Sequence, residues 1–176
     1  MTRDRQHDRY DEAGAFGGPP PDATYRETRT REVAARGDLL WQVVSGIGGS
    51  NGWYAANPFW RARAGIDRLL GGPGMRGRPE LLRPSGVVDF WRVVDIVESE
   101  RLLLRAEMRM PGTPWLELSV SQISERPPRS LLTQQVWFEP SNVLGHAQWW
   151  AELIGHKIVF SRMLEGIARE AEDRSA

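Results

Sequence analysis

Two polar residues interrupt apolar alternation in ways that point to a buried site. Arg92 shares its parity with Phe90, Val94 and Ile96, and Gln134 shares its parity with Leu132, Val136 and Phe138. A guanidinium or amide on an apolar strand face either reaches water at the sheet's end or meets a partner inside, because burying it unpaired is costly. Facing inward, Arg92 would anchor a carboxylate, enolate or carbonyl oxygen, and Gln134 would donate to a neighbouring one. His156, close to the apolar face of a long C-terminal segment, is either a surface or hydrogen-bonded histidine or a polar group in a pocket. These three are the candidates for proton transfer, and no catalytic role is assigned beyond that. Trp53, Tyr54, Phe90, Met108 and Trp150 supply apolar walls, and with Arg92, Gln134 and His156 they make up the expected ligand-binding set.

Other patterns look like chemistry and fail on context. Gly48-Gly49-Ser50-Asn51-Gly52 matches G-x-S-x-G, but a nucleophile elbow needs a strand before the serine, a helix after it and a parallel sheet. Too little chain precedes Ser50 to build one, so the stretch reads as a flexible or ligand-facing loop. Gly72-Pro73-Gly74-Met75-Arg76-Gly77 matches G-x-G-x-x-G. It lacks the strand before and helix after that would seat a pyrophosphate, and reads as a connecting loop. His146 and His156 lie ten residues apart, nearly three helical turns, too far to share a metal. With three histidines and no cysteine, neither a structural zinc site nor a disulfide is expected. No metal or cofactor is implied.

The elements that would position these residues follow from periodicity. Asn142 to about Ala171 reads as a long amphipathic helix, with Trp150, Leu153, Ile154, Phe160, Leu164 and Ile167 at three- and four-residue steps. Pro140-Ser141-Asn142 stops the preceding strand and caps the helix. Earlier, Thr24–Val33 predicts an edge strand, and Asp38 caps a short helix with Leu39, Leu40, Trp41, Val43 and Val44. Asn57-Pro58 opens a second helix with a Phe59, Ala62, Ile66, Leu69 stripe, closed by Gly71-Gly72-Pro73.

From Val87 the period becomes two. Val87–Val97 places Asp89, Trp91 and Asp95 opposite Phe90, Val94 and Ile96. In Arg101–Met108, Leu102, Leu104, Ala106 and Met108 share a face, and in Trp115–Ile123 so do Leu116, Leu118 and Val120. Ser130–Phe138 completes the run. Asp89, Asp95, Arg105, Glu107 and Glu117 are expected in cross-strand pairs on the solvent face. Short turns make the strands antiparallel neighbours, and a sheet with one apolar face needs a cover that the terminal helix can provide. The fold class is therefore α+β, a curved antiparallel sheet wrapped around a long C-terminal helix, with a cavity where facing side chains leave space.

The 176 residues suit one domain, residues 24–172, behind a disordered tail of residues 1–23 rich in charge, Gly and Pro. Net charge is zero, which gives no reason to invoke nucleic acid or an anionic membrane. No apolar run reaches membrane-span length and no signal-peptide core is present, so a cytoplasmic location is expected. Eight tryptophans imply large aromatic walls, and any left exposed would favour a homodimer.

Several runs resemble a known family. They are Ile47-Gly48-Gly49 through Gly52-Trp53-Tyr54, Asp67-Arg68-Leu69-Leu70-Gly71-Gly72-Pro73-Gly74, and Val88-Asp89-Phe90-Trp91-Arg92-Val93. Leu103-Leu104-Arg105-Ala106-Glu107-Met108, Trp115-Leu116-Glu117, Leu132-Thr133-Gln134 and Phe138-Glu139-Pro140 add to them. The sequence resembles the DUF2867 family over about residues 28–168, within the START/Bet v 1-like (SRPBCC) superfamily. The resemblance implies a helix-grip fold with an internal cavity for polyketide-, terpenoid- or lipid-like ligands. Domains similar to these often follow an NAD(P)-binding domain, which this sequence does not contain. Three functions are therefore expected in turn: binding of a hydrophobic small molecule, a cyclase- or dehydratase-type reaction on such a molecule, or a role as accessory subunit of a separate NAD(P)-dependent reductase.

Overall fold

A computed structural model of the protein describes residues 18–54 and 57–175. The expected tail up to position 17, and the helix-face roles of Phe59, Leu153 and Ile154, lie outside the described residues and side chains. The element order is β1 (Tyr25–Val33), α1 (Gly37–Ser45), a single 3-10 turn (Gly49–Asn51), α2 (Asn57–Leu69), β2 (Val87–Val88), β3 (Trp91–Val97), β4 (Arg101–Ala106), β5 (Gly112–Glu125), β6 (Pro128–Pro140) and α3 (Val143–Ser175). The six strands form one sheet in the order β1-β6-β5-β4-β3-β2. Every pairing is antiparallel, with β1 at one edge as expected.

The inner face carries the main core. Leu102, Leu104 and Ala106 of β4, Leu116, Leu118 and Val120 of β5, and Leu132 and Val136 of β6 all pack into it, as their alternation predicts. α1 adds Leu40, Trp41, Val43 and Val44. Asp38 sits in the first turn of α1 and accepts from the Leu39 amide at 2.9 Å, while Arg36 takes the cap position. The outer face has a smaller cluster of Val94, Leu103, Trp115 and Trp137, against which Ala23 packs.

α3 covers the inner face over 33 residues, a length of about 50 Å. Asn142 caps it, its side-chain oxygen accepting from the Gly145 amide at 3.2 Å. Gly145 itself is required by close approach: a Cβ there would lie 2.0 Å from the Pro111 carbonyl oxygen. The first turn of α3 is thereby pressed onto the β4–β5 connection. The helix buries Trp149, Val159, Phe160, Met163, Leu164, Ile167, Ala168 and Ala171.

Two helix faces differ from expectation. Trp150 is 65% exposed and Trp149 takes the inward place, since consecutive helical residues point about 100° apart. In α2 the buried face is Trp60, Ala64 and Asp67, whereas Ile66 and Leu69 are exposed. The apolar stripe of α2 faces out because Asp67 has inward work that outranks it: its Oδ1 accepts from the Arg109 amide at 2.7 Å and its Oδ2 from the Gly74 amide at 2.9 Å. A fully buried carboxylate with two amide donors is satisfied where an isolated one would not be.

Candidate ligand site

A cavity of about 40 Å³ lies between the sheet, α2 and the N-terminal half of α3. α2 contributes Trp60 and Arg63, β3 contributes Trp91, and the β4–β5 connection contributes Met108 and Met110. Pro114, Val136 and Phe138 form the sheet side, and Trp149, His156 and Phe160 close it from α3. Its walls are rings in mutual contact. Trp149 stacks on Phe138 with centroids 5.5 Å apart and on Tyr25 at 4.7 Å. His156 lies 5.5 Å from Trp149 and 5.9 Å from Phe160, and Phe160 meets Trp60 edge-on at 5.9 Å. Separations of this size are those of favourable aromatic pairs.

The polar groups in this wall are few. The indole Nε1 of Trp91, a side chain only 1% exposed, has no hydrogen-bond partner among the described residues. Arg63 Nη2 touches the Met110 sulfur at 4.0 Å. Among the described residues no aspartate or glutamate lines the cavity.

Of the expected site residues, Met108 and His156 line the cavity. Phe90 and Trp53 form a second layer behind it, packed on Trp60 and Trp91 at 5.6–6.0 Å. Tyr54 lies further off, its hydroxyl donating to the Val43 carbonyl at 3.0 Å. Burial raises its pKa above the usual phenol value. Trp150 points to solvent, outside the site.

Arg92 is on the opposite side of the sheet from its expected place. A β-bulge shifts the β3–β4 register between Val93 and Asp95. Trp91 and Val93 therefore face the core before the bulge and Ile96 after it, while Arg92 and Val94 face out. An extra residue inverts the parity of everything on one side of it. Arg92 Nη1 donates to the Ser85 carbonyl at 2.8 Å, and its Nε pairs with Glu107. The same bulge brings Trp91 inward, where uninterrupted alternation had put it outside.

Arg63 was also missed. Its signal was the spacing Trp60, Arg63, Ala64, Asp67, a helical face hidden by the more apolar stripe beside it.

Gln134 does face inward. It is fully buried, and neither its amide oxygen nor its amide nitrogen has a hydrogen-bond partner among the described residues. Along β6 it is the next inward residue after Val136 of the cavity wall. Its register partner on β1 is Arg29. Arg29 Nη2 pairs with Glu27 at 2.5 Å and its guanidinium lies 6.0 Å from the Phe160 ring centre, while its buried Nη1 has no partner among the described residues. An open groove of about 370 Å³ runs past Arg29, bounded by Glu27, Thr28, Lys157 and Ser161.

The remaining strand acids hold the frame together. Asp89, expected on the solvent face, is 1% exposed, and its Oδ2 accepts from Trp53 Nε1 at 2.9 Å and from the Gly49 amide at 3.2 Å. It thereby fixes the glycine loop to the end of the sheet. In that loop Ser50 is exposed at a 3-10 turn with no strand before it, so no nucleophile elbow forms. The Gly72–Gly77 loop leads into irregular chain, and no helix receives it. Glu107 accepts from both Arg76 and Arg92. Partial burial pushes its pKa up, but the two guanidinium bonds outweigh it and hold the carboxyl below the usual range. Asp95 and Glu117 pair with Arg101, which was not among the expected partners, and Glu117, expected on the solvent face, is buried at 2% exposure. Among the described residues no cluster of three metal-ligating side chains occurs, and no helix is long and apolar enough to cross a membrane.

The profile of a family described as "Protein of unknown function (DUF2867)" matches residues 20–163. The chain belongs to the DUF2867 family. Its inner-face clamps Asp67 and Asp89 and the glycines they hold fall inside the runs that resemble this family. No curated protein matches the sequence. Solved structures similar to this DUF2867 chain include the ZhuI aromatase/cyclase from Streptomyces sp. R1128, with TM-score 0.54 and 17% identity over 86% of this chain and 96% of the cyclase. Another is XoxI from Bacillus cereus, with TM-score 0.51 and 16% identity over 87% of this chain and 99% of that one. A START superfamily protein from Mycobacterium smegmatis overlays more loosely, with TM-score 0.45 and 19% identity over 85% and 96% of the two chains. At these identities the likeness to the first two speaks for the fold, an antiparallel sheet gripping a long helix, and not for an activity.

Proposed function

We propose that this DUF2867 protein binds a hydrophobic, ring-containing small molecule between the sheet and α3. The observation that carries the reading is the aromatic cavity in the grip of the helix, with His156 in its wall beside the Trp91 indole, which has no partner among the described residues. A volume of about 40 Å³ holds little more than one water molecule. Ligand entry therefore requires the wall to yield, and Met108 and Met110 are its softest members, unbranched and half-buried. Burying about 300 Å² of apolar ligand surface would contribute on the order of 7 kcal/mol before the entropic costs of association. The Gln134 amide and the Arg29 Nη1, neither with a partner among the described residues, extend the site beyond Val136.

Native mass spectrometry of the purified chain, followed by denaturing extraction, tests the reading. A mass excess that disappears on denaturation, with an extracted apolar molecule, is the expected result. A cyclase- or dehydratase-type reaction is the second reading, favoured by one feature, the imidazole of His156 against the cavity. Under it, His156→Gln abolishes turnover of the extracted molecule and leaves its affinity within a few-fold. Under the binding reading alone, no turnover is found with either protein.

A further inference from the structure

The polar groups at the cavity are unbalanced in a way that selects the ligand's chemistry. Trp91 offers an indole N–H, which can only donate, and it has no partner among the described residues although the side chain is 1% exposed. Arg63 offers a guanidinium, also donor-only, whose sole hydrogen-bond contact among the described residues is the Met110 sulfur at 4.0 Å. A thioether is a weak acceptor for a full positive charge. Among the described residues no carboxylate lines the cavity to neutralise Arg63. His156 can donate or accept, so it does not offset the excess of donors.

We propose that the cavity takes an aromatic anion, an arene carboxylate or phenolate. Its ring lies among Trp60, Trp149 and Phe160, its charge meets Arg63, and an oxygen accepts from Trp91 Nε1. The proposal rests on the ligand-binding reading above and narrows it from hydrophobic molecules in general to anionic aromatic ones. On binding, an anionic oxygen replaces the Met110 sulfur as the partner of Arg63. Met110 then leaves the wall, which supplies the volume that the free cavity lacks. A charged hydrogen bond in a site walled by rings is stronger than the same bond in water. A neutral molecule of the same shape forgoes it and leaves the guanidinium facing an uncharged acceptor.

Calorimetric titration of the full chain with 2-naphthoate and with its neutral counterpart 2-naphthamide tests this. The carboxylate is expected to bind at least tenfold more tightly at low salt. Arg63→Gln should remove that preference, weakening the carboxylate by more than it weakens the amide. Trp91→Phe keeps a ring in place and should weaken both probes alike, because both present a carbonyl-type oxygen; if this variant does not fold, Arg63→Gln carries the test alone. Equal affinity for the two probes, or a carboxylate preference that survives Arg63→Gln, overturns the anion assignment and leaves the cavity reading intact. Absence of binding by either probe, together with no extractable molecule, overturns both.

Discussion

Replacing Gln134 by leucine should make the free protein more stable. The amide is fully buried on the inner face of β6, between Leu132 and Val136 and opposite Leu118 of β5. Neither of its polar atoms has a partner among the described residues. An unsatisfied buried polar group costs about 1–3 kcal/mol relative to a satisfied one. Leucine removes that cost, nearly preserves the volume and completes the apolar alternation of the strand. The expected gain is about 1–3 kcal/mol, which in a domain of this size raises the melting temperature by about 2–4 °C per kcal/mol. Urea denaturation of wild type and Gln134→Leu, with equal slopes, gives the difference directly. A loss of 1 kcal/mol or more would refute the reasoning. It would mean that the amide is satisfied in the free protein by an internal water making several hydrogen bonds. A gain would identify Gln134 as a residue kept at a cost to stability, as expected of a group that waits for a ligand.

Other outcomes follow from the same geometry. Trp149→Ala should cost about 3–5 kcal/mol because it empties a space between Tyr25, Phe138 and His156. Trp150→Ala, one residue on but exposed, should stay within about 0.5 kcal/mol; thermal melts of the pair decide which tryptophan is structural. Glu107 is held below its usual pKa in the fold, so its contribution is complete above the unfolded-state value near ~4.3. That contribution is lost as pH falls through the lower folded-state value. Glu107→Gln should therefore be less stable than wild type at pH 7 by on the order of 1 kcal/mol, and the gap should close on acidification. Melting temperatures of both proteins across the acid range would show it, and a constant gap would contradict the assignment.

The framework was legible because burial and period coincide over most of it. β4, β5 and β6 alternate as written, the connections between them are short, and α3 has the length to cover their inner face. What was not legible has local physical causes. A bulge at Val94 is one residue long and leaves no mark on a hydropathy pattern, yet it turned Arg92 outward and Trp91 inward. On α2, an apolar count selected Ile66 and Leu69, while the face that packs is set by Asp67 and the two backbone amides it satisfies. On α3 the adjacent tryptophans offered two equivalent choices. The stacking of Trp149 between Tyr25 and Phe138 decided it through residues distant in sequence.

These departures share a direction that bears on function. The acids that the sequence scatters along the sheet have hydrogen-bond or ion-pair partners in the fold. Asp67 holds the loop after α2, Asp89 holds the glycine loop, and Glu107 joins Arg76 to Arg92. Such groups are committed to structural bonds and are poor candidates for a reaction. On the inner face the Trp91 indole, both ends of the Gln134 amide and one nitrogen of Arg29 have no partner among the described residues. Buried polar groups in folded proteins are ordinarily satisfied, and these groups sit at the aromatic cavity and beyond Val136, where the proposed ligand would meet them. Two of the three are cations or pure donors, which is the same preference for an acceptor-rich, anionic molecule that Arg63 expresses at the cavity wall.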